Sequence, residues 1–141
     1  MALISLRKAT EADIPQIRRL AEKIWWEHYP DIISNDQIAY MLELMYSDAA
    51  LSRQMNEEGQ ELWLPEENGQ ALGFLAITPS PAPKGEGFLN KFYLDSRERG
   101  LGTIVFELML ARYPDLKTLR LRVNRRNYKS VNFYFKVGFR I

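Results

Sequence analysis

Apolar residues recur along the chain at two spacings, and each spacing predicts a type of secondary structure. Over 14–24 and 38–45 they lie three or four positions apart, which predicts two amphipathic helices in the first third of the chain. Pro30 should end the first helix, and Ser34 followed by Gln37 forms a capping-box pattern that opens the second. We therefore expect two helices, each with one apolar face toward the core.

Most of the remaining chain has strand patterns. The dipeptide Asn68-Gly69 predicts a tight β-hairpin between two of these strands. Pro79, Pro81 and Pro83 cannot donate hydrogen bonds to a ladder, so a loop is expected over 79–85. A short helix is expected over 47–55, and short apolar runs or alternation predict strands at 3–6, 60–64, 71–78, 88–94 and 119–123.

The order of these elements predicts the fold class. After the strand at 88–94, Leu101, Ile104, Val105 and Leu108 recur at helical spacing and predict the buried face of another helix. One strand comes first, helices and then further strands follow, and one helix joins the last two strands, so the chain mixes α and β elements and its predicted fold class is mixed α/β. A chain of 141 residues can bury one core but is too short for two ordinary domains. We therefore predict a single domain over residues 1–141.

Composition excludes several classes of function. Charges nearly balance at a formal +1, so composition gives no reason to expect a nucleic-acid partner. The absence of cysteine excludes disulfides and thiolate chemistry, and with only one histidine we expect no metal site. The chain starts without a charged leader followed by a long apolar run, and no apolar stretch approaches membrane-spanning length. We expect a soluble, cytoplasmic protein with no membrane contact.

Between the strand at 88–94 and the following helix lies the motif Arg97-x-x-Gly100-x-Gly102. Glycines at a helix start leave backbone N–H groups uncovered, and the helix dipole adds to their attraction for a phosphate. Arg97 and Arg99 add positive charge. The motif is neither a P-loop nor a dinucleotide fingerprint, and a plain turn before a core helix is an equally good interpretation of this stretch alone.

A second motif follows the strand at 119–123: Asn127-x-x-Ser130-x-x-Phe133-Tyr134, ending in Gly-Phe at 138–139. The two motifs together, in this order and over residues 88–139, resemble the GCN5-related N-acetyltransferase (GNAT) superfamily. In that family the first motif binds the coenzyme A pyrophosphate and the second lies near the thioester. Ser130 stands where the family usually has alanine.

The resemblance implies a GNAT-like single domain, with a mostly antiparallel sheet that is splayed at the coenzyme cleft and flanked by helices. It implies an N-acetyltransferase that moves an acetyl group from acetyl-CoA to a primary amine of a small molecule by direct attack. The segment 37–47 also resembles polyamine and other small-amine acetyltransferases. The sequence stops at Ile141, where the family would begin its last strands. Either the sequence is truncated there, or the uncovered sheet edge is filled by a second copy, in which case we expect a homo-oligomer.

The resemblance also implies roles for individual residues. The backbone N–H of Leu94 would face the thioester carbonyl, and Tyr134 would be the general acid that protonates the departing thiolate. Asn127 would hold the pantetheine arm. A core tyrosine and an ordinary helix cap are the alternatives for Tyr134 and Asn127. The full set implied to bind the coenzyme is Tyr93, Leu94, Arg97, Arg99, Gly100, Leu101, Gly102, Thr103, Asn127 and Lys136.

The acceptor side is predicted from residue types. Glu86, at the start of the central strand, and His28 are candidates for the general base, although an acidic residue there is often merely exposed. Trp25, His28 and Tyr29 are predicted to form an aromatic wall for the acceptor, with core packing as the alternative for the two aromatic rings.

A basic run extends over 117–129. The simplest interpretation is a solvated face of a strand and a turn, and the functional one is capture of the coenzyme phosphates or of nucleic acid. A second hypothesis is a catalytically inactive module of the same fold that binds acyl-CoA, or nucleic acid through this run. It is motivated by the segment between the strand and Arg97, which is shorter than is common in the family, and by the missing last strands.

Overall fold

The computed structural model describes residues 3–80, 84–95 and 100–141. Helices dominate the first third of the chain, and strands dominate the middle. A 3₁₀ turn, Glu11–Asp13, precedes the first helix. The elements of the described residues are β1 Ile4–Lys8, α1 Ile14–His28, α2 Asn35–Tyr46, α3 Asp48–Asn56, β2 Glu61–Glu67, β3 Gln70–Ala71, β4 Gly73–Pro79, β5 Glu86–Leu94, α4 Leu101–Ala111, β6 Thr118–Leu121 and α5 Tyr128–Lys136.

The strands form one sheet in the order β1-β2-β4-β5-β6, with β3 paired to β2. Among the strand pairs of the described residues only β5–β6 is parallel, so the sheet is mostly antiparallel, as predicted. The predicted hairpin is present: Asn68 and Gly69 both have positive φ, 52° and 77°, in the turn between β2 and β3. The Ser34 side chain accepts a hydrogen bond from the Gln37 N–H at 3.1 Å. Ser34 is therefore the N-cap of α2, which confirms the predicted start of this helix.

β5 and β6 separate part of the way along β5. Their parallel pairing runs from Glu86 opposite Thr118 to Leu89 opposite Leu121, whereas β5 continues to Leu94. The last five residues of β5 therefore have no β6 beside them, which is the predicted splay. In the described part of the chain β6 pairs only with β5.

A β-bulge lies at Asn90. Ala76 pairs with Lys91 but Ile77 pairs with Leu89, so Asn90 is an extra residue on β5. Its side chain accepts a hydrogen bond from the Thr78 hydroxyl at 2.7 Å. The extra residue reverses the alternation of side chains along the strand.

The sheet separates two apolar clusters. One packs against α1, α2 and α3 and includes Ile17, Ile38 and Phe74, each fully buried. The other packs against α4 and includes Leu89 and Val105. The end of β5 contributes to both, because successive side chains face opposite sides of a sheet.

Several details differ from the sequence predictions, among them one buried position of α4 and the ends of strands. Ile104 is 47% exposed, because the buried face of α4 is centred between Val105 and Met109, and Ile104 lies one step of about 100° before Val105. Pro79 pairs with Gly87 as the last residue of β4 and is not in a loop. β6 ends at Leu121, two residues earlier than expected. Pro81 and Pro83 lie outside the described residues.

Within the described ranges, no helix combines the length and the apolar character needed to cross a lipid bilayer.

Candidate active site

A cavity of about 330 Å³ opens where β5 extends beyond β6. Its walls come from four elements: the last two turns of α1, the end of β5, the first turn of α4 and one face of α5. The lining residues are Ile24, Glu27, His28, Phe92, Tyr93, Leu94, Asp95, Gly102, Lys129, Ser130, Phe133 and Tyr134.

The backbone at the end of β5 directs one N–H group into this opening. Asp95 N–H bonds to the Leu72 carbonyl at 2.7 Å, on the β4 side of the strand. Because the N–H groups of successive residues in a strand point to opposite sides, the Leu94 N–H points away from β4. It therefore faces the side on which β6 has already ended, which is the orientation that the resemblance implies for a donor to an acyl oxygen.

Tyr134 lines the cavity from α5. Its ring makes edge contacts with Phe133 and Phe139, both at 5.6 Å between centroids. Burial, with a smaller effect of nearby Tyr29, raises the pKa of Tyr134 to about 12. The phenol is therefore protonated at neutral pH and can donate its proton to a stronger base that forms beside it.

Asn127 is the N-cap of α5, and its side chain is 4% exposed. Its Oδ1 accepts the Ser130 N–H at 3.3 Å and lies 3.1 Å from His28 Nε2. The capping role, one of the two interpretations from sequence, is present. Tyr134 follows seven residues later, two helical turns along, so Asn127, Ser130 and Tyr134 share the face of α5 that meets the cavity.

The first turn of α4 has the features of an anion site. Gly100 is its N-cap with φ +83°, a left-handed conformation that favours glycine, and no side chain of the described residues caps this end. The first helical bond runs from Ile104 N–H to the Gly100 carbonyl at 3.2 Å. The N–H groups at 101–103 precede that bond and have no acceptor within the helix.

A second feature of this turn is its tight packing on α5. A Cβ added at Gly102 would come within 2.9 Å of Phe133 Cε1. Leu101 is buried in the α4 core and Thr103 is half-buried on the same turn. The predicted phosphate ligands Arg97 and Arg99 lie outside the described residues.

The predicted aromatic wall is only partly at the cavity. Trp25 is 4% exposed, and its ring packs on Tyr29 at 4.3 Å between centroids. The Tyr29 hydroxyl bonds to the Tyr93 hydroxyl at 3.1 Å. Burial raises the pKa of both tyrosines. Trp25 and Tyr29 therefore have the core role that the sequence left as the alternative, and of the three residues only His28 lines the cavity.

The structure does not bring Glu86 to the cavity. Its carboxylate pairs with Arg120 at 3.3 Å, at the start of β5. Phe92, the first cavity residue of that strand, is six positions further along, or roughly 20 Å by strand geometry. Among the described residues, two carboxylates line the cavity: Glu27, next to His28 on α1, and Asp95, which is paired with Lys23 at 2.8 Å.

Several lining residues were not predicted. Lys129 and Glu27 are charged residues near helix ends, which in a sequence look like solvated positions. The spacing 130, 133 and 134 on one helix face was the signal that could have added Ser130 and Phe133. Lys136, which was predicted to bind the coenzyme, is exposed at the end of α5 and does not line the cavity.

Comparison with known proteins places the chain among acyltransferase folds. The model of the Acetyltransferase (GNAT) family matches residues 17–139. A structure of the PaiA N-acetyltransferase from Thermoplasma acidophilum in complex with coenzyme A has a TM-score of 0.81 at 20% identity, over 99% of this chain and 91% of that one. No curated protein matches the chain.

Two further solved structures have the same fold. A GCN5-related N-acetyltransferase from Ralstonia eutropha JMP134 has a TM-score of 0.73 at 18% identity and covers 99% of this chain and 94% of that one. An aminoglycoside N-acetyltransferase in complex with CoA has a TM-score of 0.65 at 14% identity, over 100% of this chain and 90% of that one.

Proposed function

The chain belongs to the acetyltransferase (GNAT) family, and we propose that it transfers the acetyl group of acetyl-CoA to a primary amine of a small molecule by direct attack. The observation that supports this most is the meeting of three groups at one cavity: the Leu94 N–H, the glycine-rich first turn of α4 and the Tyr134 hydroxyl. Acetyl-CoA would supply the activated acetyl group as a thioester, and coenzyme A would leave as the thiol once its sulfur is protonated.

The residues on the coenzyme side of the cavity are suited to bind coenzyme A. The N–H groups at 101–103, together with the positive end of the α4 dipole, are suited to hold the pyrophosphate. Gly100 and Gly102 leave this turn without side chains that would cover those donors. Lys129 adds a positive charge at the cavity wall. Arg97 and Arg99 retain the phosphate-binding role expected for them by resemblance.

The chemical step needs a donor for the developing oxyanion, a proton for the thiolate and a base for the amine. Leu94 N–H provides the first, because it points to the open side of β5. Tyr134 provides the second, since the phenol is protonated at neutral pH and can give its proton to the sulfur as the C–S bond breaks. Its raised pKa of about 12 makes it a weaker acid than an ordinary thiol of pKa about 8.5, so this transfer must be coupled to bond cleavage and the phenolate reprotonated by the proton that the amine releases. Glu27, as a cavity carboxylate, takes the proton from the attacking amine directly or through water.

The charge of the α1 side favours a cationic acceptor. Glu27 lines the cavity, and Asp95, at the mouth, is already paired with Lys23 at 2.8 Å. An amine that arrives protonated is attracted by the Glu27 carboxylate, which can then accept the proton that must leave before attack. Polyamine-like amines are one such class of acceptor.

Isothermal titration with acetyl-CoA, followed by a product assay over a panel of primary amines, tests the proposal. We expect saturable binding and acetylated product with at least one cationic amine. No binding at millimolar acetyl-CoA would contradict the proposal. Binding without product over the whole panel would favour the alternative of an inactive module that binds acyl-CoA.

A further inference from the structure

One hydrogen bond joins the acceptor side of the cavity to its coenzyme side. His28 is the last residue of α1 and Asn127 caps α5, 99 positions later in the chain. Their side chains meet at 3.1 Å, from His28 Nε2 to Asn127 Oδ1. Asn127 is buried at 4% exposure and His28 is half-buried at the cavity wall, so the contact is shielded from water on its Asn127 side.

The geometry fixes which atom donates. Ser130 N–H points at Asn127 Oδ1 from 3.3 Å, and a backbone N–H can only donate. Turning the amide around would place its NH₂ against that N–H, so the oxygen must face Ser130. Because the same oxygen faces His28 and can only accept, His28 Nε2 must carry a hydrogen. Neutral His28 is then the Nε2–H tautomer, and its only basic nitrogen is Nδ1.

We propose that His28 is a positioning residue, whose Nε2–H holds the Asn127 amide and the first turn of α5 in place for the coenzyme. This inference rests on the proposed function. With its oxygen occupied twice, the Asn127 amide is fixed in one orientation, and its side chain also interacts with the Tyr29 hydroxyl of the residue that follows α1. The same face of α5 carries Tyr134 two turns later, so the helix start that His28 holds also sets the position of the general acid.

The His28 tautomer can be measured directly. The chain has one histidine, so long-range ¹H–¹⁵N spectra of labelled protein without a histidine tag report on His28 alone. At mildly alkaline pH we expect a protonated Nε2 and an unprotonated Nδ1. The opposite tautomer would overturn the inference, because it places a lone pair of Nε2 against the Asn127 oxygen.

Two substitutions separate this role from a direct role in binding the acceptor. His28→Gln keeps an N–H donor at a similar reach, and His28→Met keeps the size without a donor. We expect the KM for acetyl-CoA to rise about 10-fold in His28→Met, because the buried Asn127 oxygen then loses one of its hydrogen-bond donors. In His28→Gln, which keeps a donor, the KM should stay within about threefold of wild type. Equal losses in both variants, or a loss confined to the acceptor KM, would overturn the inference.

Failure of this inference and failure of the proposed function have different signatures. Wild-type protein that does not bind acetyl-CoA would refute the function, and the tautomer would still decide whether His28 donates to Asn127. The hydrogen exchange of the Asn127 side-chain amide, without coenzyme, should be slow in wild type and His28→Gln and faster in His28→Met. If His28→Met does not fold, the tautomer and the His28→Gln kinetics decide the question.

Discussion

Lys91 should make the stability of this protein rise with pH in the alkaline range, against the usual trend. It lies on β5 with 3% exposure, and its ammonium donates to two neutral amides, Gln54 Oε1 at 2.7 Å and Gln60 Oε1 at 3.0 Å. Burial lowers the pKa of Lys91 from 10.5 to about 8, and the more distant carboxylate of Glu58 opposes the shift. Keeping Lys91 charged therefore lowers the free energy of unfolding at neutral pH.

The magnitude follows from the two pKa values. The unfolded chain titrates Lys91 near 10.5 and the folded chain near 8, a difference of about 2.5 pH units. At 1.36 kcal/mol per unit this is a cost of roughly 3 kcal/mol to the free energy of unfolding at neutral pH. Between pH 8 and 10.5 the unfolded state binds more protons, so stability rises with pH and the cost has disappeared above the unfolded pKa.

Lys91→Met isolates this contribution, because methionine has a similar length and no charge. Urea unfolding of both proteins over this pH range should show wild type gaining roughly 3 kcal/mol relative to the variant. The titrating tyrosines are common to both proteins and cancel in the difference. Lys117→Met, at an exposed lysine, should instead run parallel to wild type. A pH-independent difference between wild type and Lys91→Met would refute the reasoning, since it would mean that burial does not shift this pKa.

Three further changes address the active site. Tyr134→Phe keeps the ring and removes the proton, so kcat should fall by about 100-fold while acetyl-CoA affinity measured by titration barely changes; undiminished turnover would show that another group protonates the thiolate. Gly102→Val should weaken acetyl-CoA binding at least about 10-fold. Its Cβ would lie only 2.9 Å from Phe133 Cε1, so the ring must move and α5 must separate from α4. Unchanged affinity would mean that the turn tolerates a side chain. Glu27→Gln should lower kcat by about 100-fold in steady-state assays, and Glu86→Gln should leave it within about twofold. The reverse result would mean that Glu86, and not Glu27, is the general base.

The elements and the order of the motifs could be predicted from sequence because both depend on local patterns. The spacing over 14–24 and the cap at Ser34 specify helices whatever packs around them. The same holds for the Asn68-Gly69 turn, which needs two residues that tolerate positive φ.

The distances within the site could not be predicted in that way. Glu86 and Leu94 belong to one predicted strand, and only the register of β6 shows that the cavity opens at the Leu94 end. Trp25 and His28 are three positions apart on α1, and the sequence does not show that the first is covered by Tyr46 and Tyr93 while the second meets α5. These placements depend on contacts between segments far apart in the chain.

The bulge at Asn90 divides β5 into two short strands of opposite phase. Before it, Leu89 faces the α4 core; after it, Lys91 and Tyr93 face the α1 side and Phe92 faces α4. Without the bulge, Leu89, Lys91 and Tyr93 would share one face of a regular strand, which would send the ammonium of Lys91 toward the α4 core and the ring of Phe92 toward α1. A single-residue deletion at Asn90 would remove the extra residue and make the ladder continuous, so Lys91, Phe92 and Tyr93 should keep their present faces and the fold should tolerate this deletion.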